Sequence, residues 1–170
     1  VLLKSDNEAQ HLVGLGLNNI IAVAMRDAVL VAHKDRAQDI AEVVKQLKEK
    51  SIPQAEVFPI DYRPWGWFET LTKAKRFQVK QIFIYPSAAL SLQSHHHRSE
   101  NWIVVQGTAK VSINSAEKSI FEGESIHIPL GAVHRVENPG KVPLILIEVQ
   151  IGCYLGEDDI IRYKDKYSRV

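Results

Sequence analysis

The sequence contains one cysteine, Cys153, and one methionine, Met25. A single thiol cannot close an internal disulfide, and it excludes a metal site built from several thiolates. A reducing compartment, the cytoplasm, is therefore the expected location. An excess of either charge is also missing. There are 21 Lys+Arg against 20 Asp+Glu, a formal net charge of +1. That balance gives no electrostatic footprint for nucleic acid or an anionic membrane, and neither is expected as a partner. No apolar run approaches the ~20 residues that span a bilayer, and no basic stretch followed by an apolar core marks an export signal. The chain opens on Val1, and we expect it to be a piece of a longer protein.

The remaining composition is that of a globular domain. Over 170 residues, 45% hydrophobic and 24% charged side chains suffice for a proper core. Residues 1–34 carry short β-rich runs, Asn18–Ala24 and Asp27–Ala32, bounded by turn formers. Residues 36–49 predict a helix, with Ala37, Ile40, Val43, Val44 and Leu47 on one face. Asp35, with Gln38 three residues on, resembles a capping box. Residues 51–62 contain two prolines and read as a linker. From Arg63 onward short β segments recur, at about 76–85, 101–106, 108–114, 117–121, 124–128, 133–137 and 144–152. That spacing predicts a mainly β sandwich or barrel behind a small strand and helix appendage.

The chemistry concentrates in two segments. The first is Gln93-Ser94-His95-His96-His97-Arg98-Ser99-Glu100, followed by Gly107. Imidazole, carboxylate and amide oxygen all bind divalent transition metals. Alternation along a strand would put Gln93, His95 and His97 on one face. The second segment is Gly123-x5-Pro129-x-Gly131-x2-His134-x3-Asn138. It matches the second cupin motif without a mismatch, and Thr108–Glu122 is the short spacer between the two motif glycines. The first motif departs from the general cupin pattern, because Gln93 stands where the first histidine is usual.

A closer resemblance follows from Arg63-Pro64-Trp65-Gly66, Arg76–Lys80, Leu90–Ala109, Ile128–Gly131, Glu137–Lys141 and Gly156–Ile160. Together these resemble type II phosphomannose isomerase, almost continuously over residues 63–169. That domain is usually the C-terminal part of a bifunctional mannose-1-phosphate guanylyltransferase/mannose-6-phosphate isomerase. Asp27–Ala32 with Asp35–Asp39 resembles the end of the guanylyltransferase part. The resemblance implies a cupin fold, the double-stranded β-helix or jelly-roll barrel, at 63–170. Residues 1–50 would be a guanylyltransferase remnant and 51–62 a linker. The guanylyltransferase domain proper, with its Gly-rich nucleotide signature, would be missing.

The activity implied is metal-dependent interconversion of mannose 6-phosphate and fructose 6-phosphate, feeding GDP-mannose and polysaccharide synthesis. Gln93, His95, Glu100 and His134 would hold one divalent metal. Zinc is the first choice, with cobalt, manganese or magnesium as alternatives. The catalytic candidates are Arg98, His97 and Lys80, and the substrate-binding candidates are Arg135, Arg98 and Glu137. His96, His97, Lys80 and Glu137 all stay open as the general base. Arg98 requires a bend near the histidine triplet to share a face with His95. Trp65, Trp67 and Trp102 read as packing residues, His127 as a rim histidine and Cys153 as a buried strand residue. The family usually has Ala at 99 and His at 101, where this chain has Ser99 and Asn101. That departure leaves room for a non-catalytic sugar-phosphate-binding module that regulates the attached transferase, or for another cupin enzyme. Fold analogy adds the expectation of a homodimer paired through edge strands.

Overall fold

The computed structural model describes residues 1–5, 10–56 and 58–164, and the chain divides into two compact units, Val1–Phe58 and Pro59–Val170. In the first, β1 (Leu2–Ser5), β2 (Ile20–Ala24) and β3 (Val29–His33) form a three-stranded sheet, parallel between β1 and β2 and antiparallel between β2 and β3. The helix expected over 36–49 begins as a 3-10 turn, Lys34–Asp39, and becomes α1 only at Ile40–Glu49. The capping box does not form. Instead His33 Nδ1 accepts the Asp35 N–H at 3.4 Å, and Asp39, which precedes α1, makes no side-chain cap bond. On the apolar face of the helix Ala37, Ile40 and Leu47 are half-buried, while Val43 and Val44 are exposed.

The segment expected as a linker ends earlier than the sequence suggests. A 3-10 turn occupies Pro53–Ala55, and β4 (Ile60–Arg63) is already a strand of the second unit. It pairs antiparallel with β5 (Gly66–Lys73), Ile60 opposite Glu69 and Arg63 opposite Gly66. Pro59 and Pro64 bracket this strand, where proline costs no ladder hydrogen bond.

The barrel continues through β6 (Phe77–Ile84), β7 (Leu92–His95), β8 (Arg98–Gln106), β9 (Ala109–Ile113), β10 (Ala116–Ile120), β11 (Ser125–Ile128), β12 (His134–Glu137) and β13 (Leu144–Gly152). A 3-10 turn at Glu157–Asp159 leads into β14 (Ile160–Lys164). One sheet runs β10-β9-β12-β7-β14, the other β11-β8-β13-β6-β5-β4. Side chains of both sheets meet in one core that includes Trp65, Ile84, Trp102, Val111, Ile120, Val136, Leu144 and Leu146.

What positions the site is a change of polarity along three neighbouring strands. In β13 the sequence Leu144-Ile-Leu-Ile-Glu-Val-Gln-Ile151 sends Leu144, Leu146, Glu148 and Gln150 to the buried face. Its partners on β6 are Ile84, Ile82, Lys80 and Gln78. On β8, Val104, Trp102 and Glu100 stand opposite Leu146, Glu148 and Gln150. Each strand is therefore apolar inward at one end and polar inward at the other, in register. Burying Leu144 or Leu146 stabilises the barrel by roughly 1.5–3 kcal/mol each. At the other end the same inner face encloses ionisable groups, which must then be paired.

Candidate metal centre

Two short segments deliver the metal-type ligands. His95 ends β7 and His134 begins β12, while Glu100 lies one alternation into β8. His96 and His97 form the connection between β7 and β8, so the strand alternation restarts at Arg98. That turn supplies the bend that Arg98 required, and Arg98 and Glu100 share the buried face with His95. Gly107, Gly123 and Gly131 adopt positive φ of 84°, 81° and 75°, the turn conformations for which the motif uses glycine.

His95, Glu100 and His134 are all buried, each 2% exposed or less. One ligand atom from each lies within 4.8 Å of the others. His95 Nε2 is 3.1 Å from Glu100 Oε1, and His134 Nε2 is 3.6 Å from Glu100 Oε2. His134 donates its Nδ1–H to the Ala132 carbonyl at 2.9 Å, which leaves the Nε2 lone pair facing the carboxylate. Both ring nitrogens of His95 and Nε2 of His134 are buried without a hydrogen-bond partner. Unpartnered imidazole nitrogens gathered around a buried carboxylate, each ring able to offer one lone pair, suit a divalent cation, so the residues fit a metal. Gln93 stands directly opposite His134 across the β7–β12 ladder. Its Oε1 accepts from Ser91 Oγ at 2.8 Å.

Electrostatics separates two neighbouring carboxyls. Burial would raise Glu100, but the His134 and His95 rings beside it outweigh that and hold this carboxyl well below the usual range. Glu148 moves the other way. Burial and then the adjacent Glu100 charge push it well above that range, against Lys80 and Arg98. The Trp102 indole N–H donates to Glu100 Oε2 and Glu148 Oε1, both at 3.1 Å. The Gln150 amide donates to Glu100 Oε1 at 3.1 Å and Glu148 Oε2 at 3.0 Å.

A cleft with about 480 Å³ of free space, its mouth included, is lined by Glu100 of this group. Of the candidate site residues, Gln93, Arg98, Glu100 and Lys80 line it, whereas His95 and His134 lie outside its lining. Arg98, 2% exposed, donates to the Gly156 carbonyl at 2.8 Å and to Glu100 Oε1 at 3.3 Å. Lys80 pairs with Glu157 and sits 4.4 Å from the Phe68 ring centroid. Glu148, Gln150, Glu157 and Arg162 also line the cleft and were not singled out from sequence. Only the pairing of β13 with β6 and β8 shows that its polar residues face inward.

Three expected site residues are not brought to the cleft. The His97 ring is exposed and held by Asp159, with Nδ1 2.7 Å from Oδ1, because the residue lies in the turn rather than on the strand. Arg135 and Glu137 pair with each other and alternate with the buried His134 and Val136, so they face out of the barrel. Ser99 and Asn101 face outward for the same reason, and Asn101 Oδ1 lies 3.1 Å from His127 Nδ1 at the rim. Trp102 and Trp65 pack in the core and Trp67 stacks on Phe83. Cys153 is exposed just past β13 rather than buried in it.

Residues 50–165 match the family described as mannose-6-phosphate isomerase C-terminal. The chain belongs to that family. Residues 2–47 match a second description, the MannoseP isomerase/GMP-like beta-helix domain. Among relatives of this mannose-6-phosphate isomerase C-terminal domain, xanthan biosynthesis protein XanB of Xanthomonas campestris is 52% identical over 91% of this chain and 33% of its own length. Mannose-1-phosphate guanylyltransferase of Escherichia coli is 48% identical over 92% of this chain and 33% of its own. The chain thus spans about a third of the length of the curated relatives it matches. The barrel is similar to an RmlC-like cupin from Shewanella frigidimarina, with TM-score 0.51 and 22% identity over 58% of this chain and 86% of that one. That likeness shows the cupin fold. Among the described residues, no helix is long and apolar enough to cross a membrane.

Proposed function

We propose that the cleft isomerises mannose 6-phosphate and fructose 6-phosphate, with one divalent metal held by Gln93, His95, Glu100 and His134. The observation that carries this reading is the buried group of His95, Glu100 and His134, with its unpartnered ring nitrogens, whose Glu100 lines a polar cleft. Bound there, a metal supplies Lewis-acid polarisation of the sugar carbonyl. The reaction moves one proton between C1 and C2 and interchanges carbonyl and hydroxyl between O1 and O2. Arg98, buried and anchored on Gly156, keeps a fixed positive charge beside the oxygens that gain negative charge. Lys80 and Glu148 face each other across the β6–β13 ladder and line the same cleft. They are our candidates to hold or pass the proton, in place of His97 and Glu137. The product would feed GDP-mannose and polysaccharide synthesis, the setting in which xanthan and guanylyltransferase relatives are named. A guanylyltransferase domain preceding this one is part of the same reading.

The test is a coupled mannose 6-phosphate isomerase assay on chelator-stripped protein, with zinc, cobalt, manganese and magnesium returned singly. Metal-dependent turnover is expected. His134→Ala should lower bound metal and turnover by more than about tenfold while circular dichroism shows the fold retained. Folded protein that takes up no metal and gives no turnover, alone or within the longer chain, would falsify the reading.

A further inference from the structure

The cleft has four cationic side chains, Arg63, Lys80, Arg98 and Arg162. Three are already engaged. Arg63 pairs with Asp61, Lys80 with Glu157, and Arg98 with Glu100 and the Gly156 carbonyl. Arg162 is exposed and forms no ion pair among the described residues. Its place in the sheet is defined by register. Arg162 on β14 stands opposite Gln93 on β7, and Gln93 stands opposite His134 on β12. Directly opposed residues share a face, so His134, Gln93 and Arg162 form one inward row across three strands. Two strand spacings separate the ends of that row, about 9–10 Å of backbone. This is on the scale of a six-carbon sugar phosphate laid from its reacting carbons to its phosphate. A free guanidinium at the mouth of a cleft suits bidentate contact with a phosphate.

Resting on the isomerase reading, we infer that Arg162 is the residue that recognises the substrate phosphate, and that the β12–β7–β14 row sets the distance between that phosphate and the reacting carbons. It makes the cleft selective for hexose phosphates over free hexoses. Arg98, by contrast, lies at the reacting end. Ile160 lines the cleft two residues before Arg162, and the alternating Ile161 and Tyr163 face the other way, with the Tyr163 hydroxyl 3.0 Å from Ser94 Oγ. The cleft's carboxylates Glu100 and Glu157 are paired with Arg98 and Lys80.

Calorimetry on the metal-loaded protein tests this with a hexitol 6-phosphate, which has no carbonyl to react, and with the free hexitol. Arg162→Gln should weaken binding of the phosphate ester about ten- to hundredfold and leave the hexitol unaffected. Arg162→Lys should recover part of the loss. In turnover, the glutamine variant should raise KM with a smaller change in kcat, because the phosphate contact is common to ground and transition states. Equal binding of the phosphate ester by wild type and Arg162→Gln overturns the inference, whether or not the protein isomerises. A wild type that binds the ester no better than the hexitol also overturns it. Loss of ester binding in the variant, in a protein that shows no isomerisation, supports the phosphate site and removes the isomerase reading alone.

Discussion

Asp159 clamps His97. Its Oδ1 is 2.7 Å from the His97 Nδ1, and its two oxygens also accept the backbone N–H groups of His96 and His97 at 3.3 and 3.2 Å. A carboxylate from the segment after β13 thus holds the turn that separates the two halves of the metal-type cluster. Burial would raise Asp159, but these hydrogen bonds, together with the His97 charge, depress its pKa below the usual 3.8.

The first prediction concerns this clamp. Asp159→Ala should destabilise the barrel by roughly 1–3 kcal/mol, because the His96 and His97 N–H groups and the His97 ring lose their shared, buried acceptor. The pH dependence has a definite sign. A depressed carboxyl contributes stability that is fully present above its unfolded pKa and is lost as pH falls through the folded one. The gap between wild type and variant should therefore be constant near neutrality and close below about pH 4, near the reference pKa of an aspartate. Denaturant melts at pH 7 and pH 3 check this. A gap that stays constant across that range would exclude the carboxylate as its source.

Glu148 should behave in the opposite way. Its pKa is raised, so the stability linked to its protonated form is fully present below the unfolded value of 4.5 and declines as pH rises toward the folded one. The isosteric Glu148→Gln cannot ionise. In metal-free protein its stability relative to wild type should increase between pH 4.5 and pH 7.5. Parallel stability curves for the two proteins would mean that Glu148 is ionised in the native barrel. The same variant should lose turnover if Glu148 moves the substrate proton.

Gly152 stands opposite Arg98 across the β13–β8 ladder. A Cβ built at Gly152 would lie 2.1 Å from the His97 carbonyl oxygen and 2.9 Å from the Arg98 Cβ. Gly152→Ala must therefore move backbone, at a cost of roughly 2–3 kcal/mol. Because the displaced strand carries Arg98, kcat should fall as well as thermal stability. A stable variant with unchanged kinetics would mean that the strands separate here without moving the guanidinium.

His95, Glu100 and His134 were legible because each belongs to a local pattern, and local spacing sets which face of a strand a residue takes. The same rule excludes Arg135 and Glu137, since neighbours of an inward His134 must face outward. His97 was misplaced because alternation was carried through a turn. Among the described elements, the strands expected between 76 and 152 lie close to where they were expected, since β-branched runs and glycine turns are local signals, whereas β5, β7 and β14 have no counterpart among the expected segments. The helix start differed because a 3-10 turn took up the residues expected to cap it.

The barrel, the family and the His95–Glu100–His134 group were all readable from the order of residues. The rest of the cleft was not. In β13 the aliphatic residues Ile147, Val149 and Ile151 alternate with Glu148 and Gln150, and either set can in principle face a core. Pairing with β6 and β8 sends the polar set inward, where Trp102 donates to Glu148 and Gln150 donates to Glu100. Arg162 and Asp159 reach the site from the far end of the chain. Their partners Gln93 and His97 lie 69 and 62 residues earlier in the chain and are reached through strand register and turn geometry. Long-range pairing of this kind depends on how whole sheets fit together, and no local window of sequence contains it.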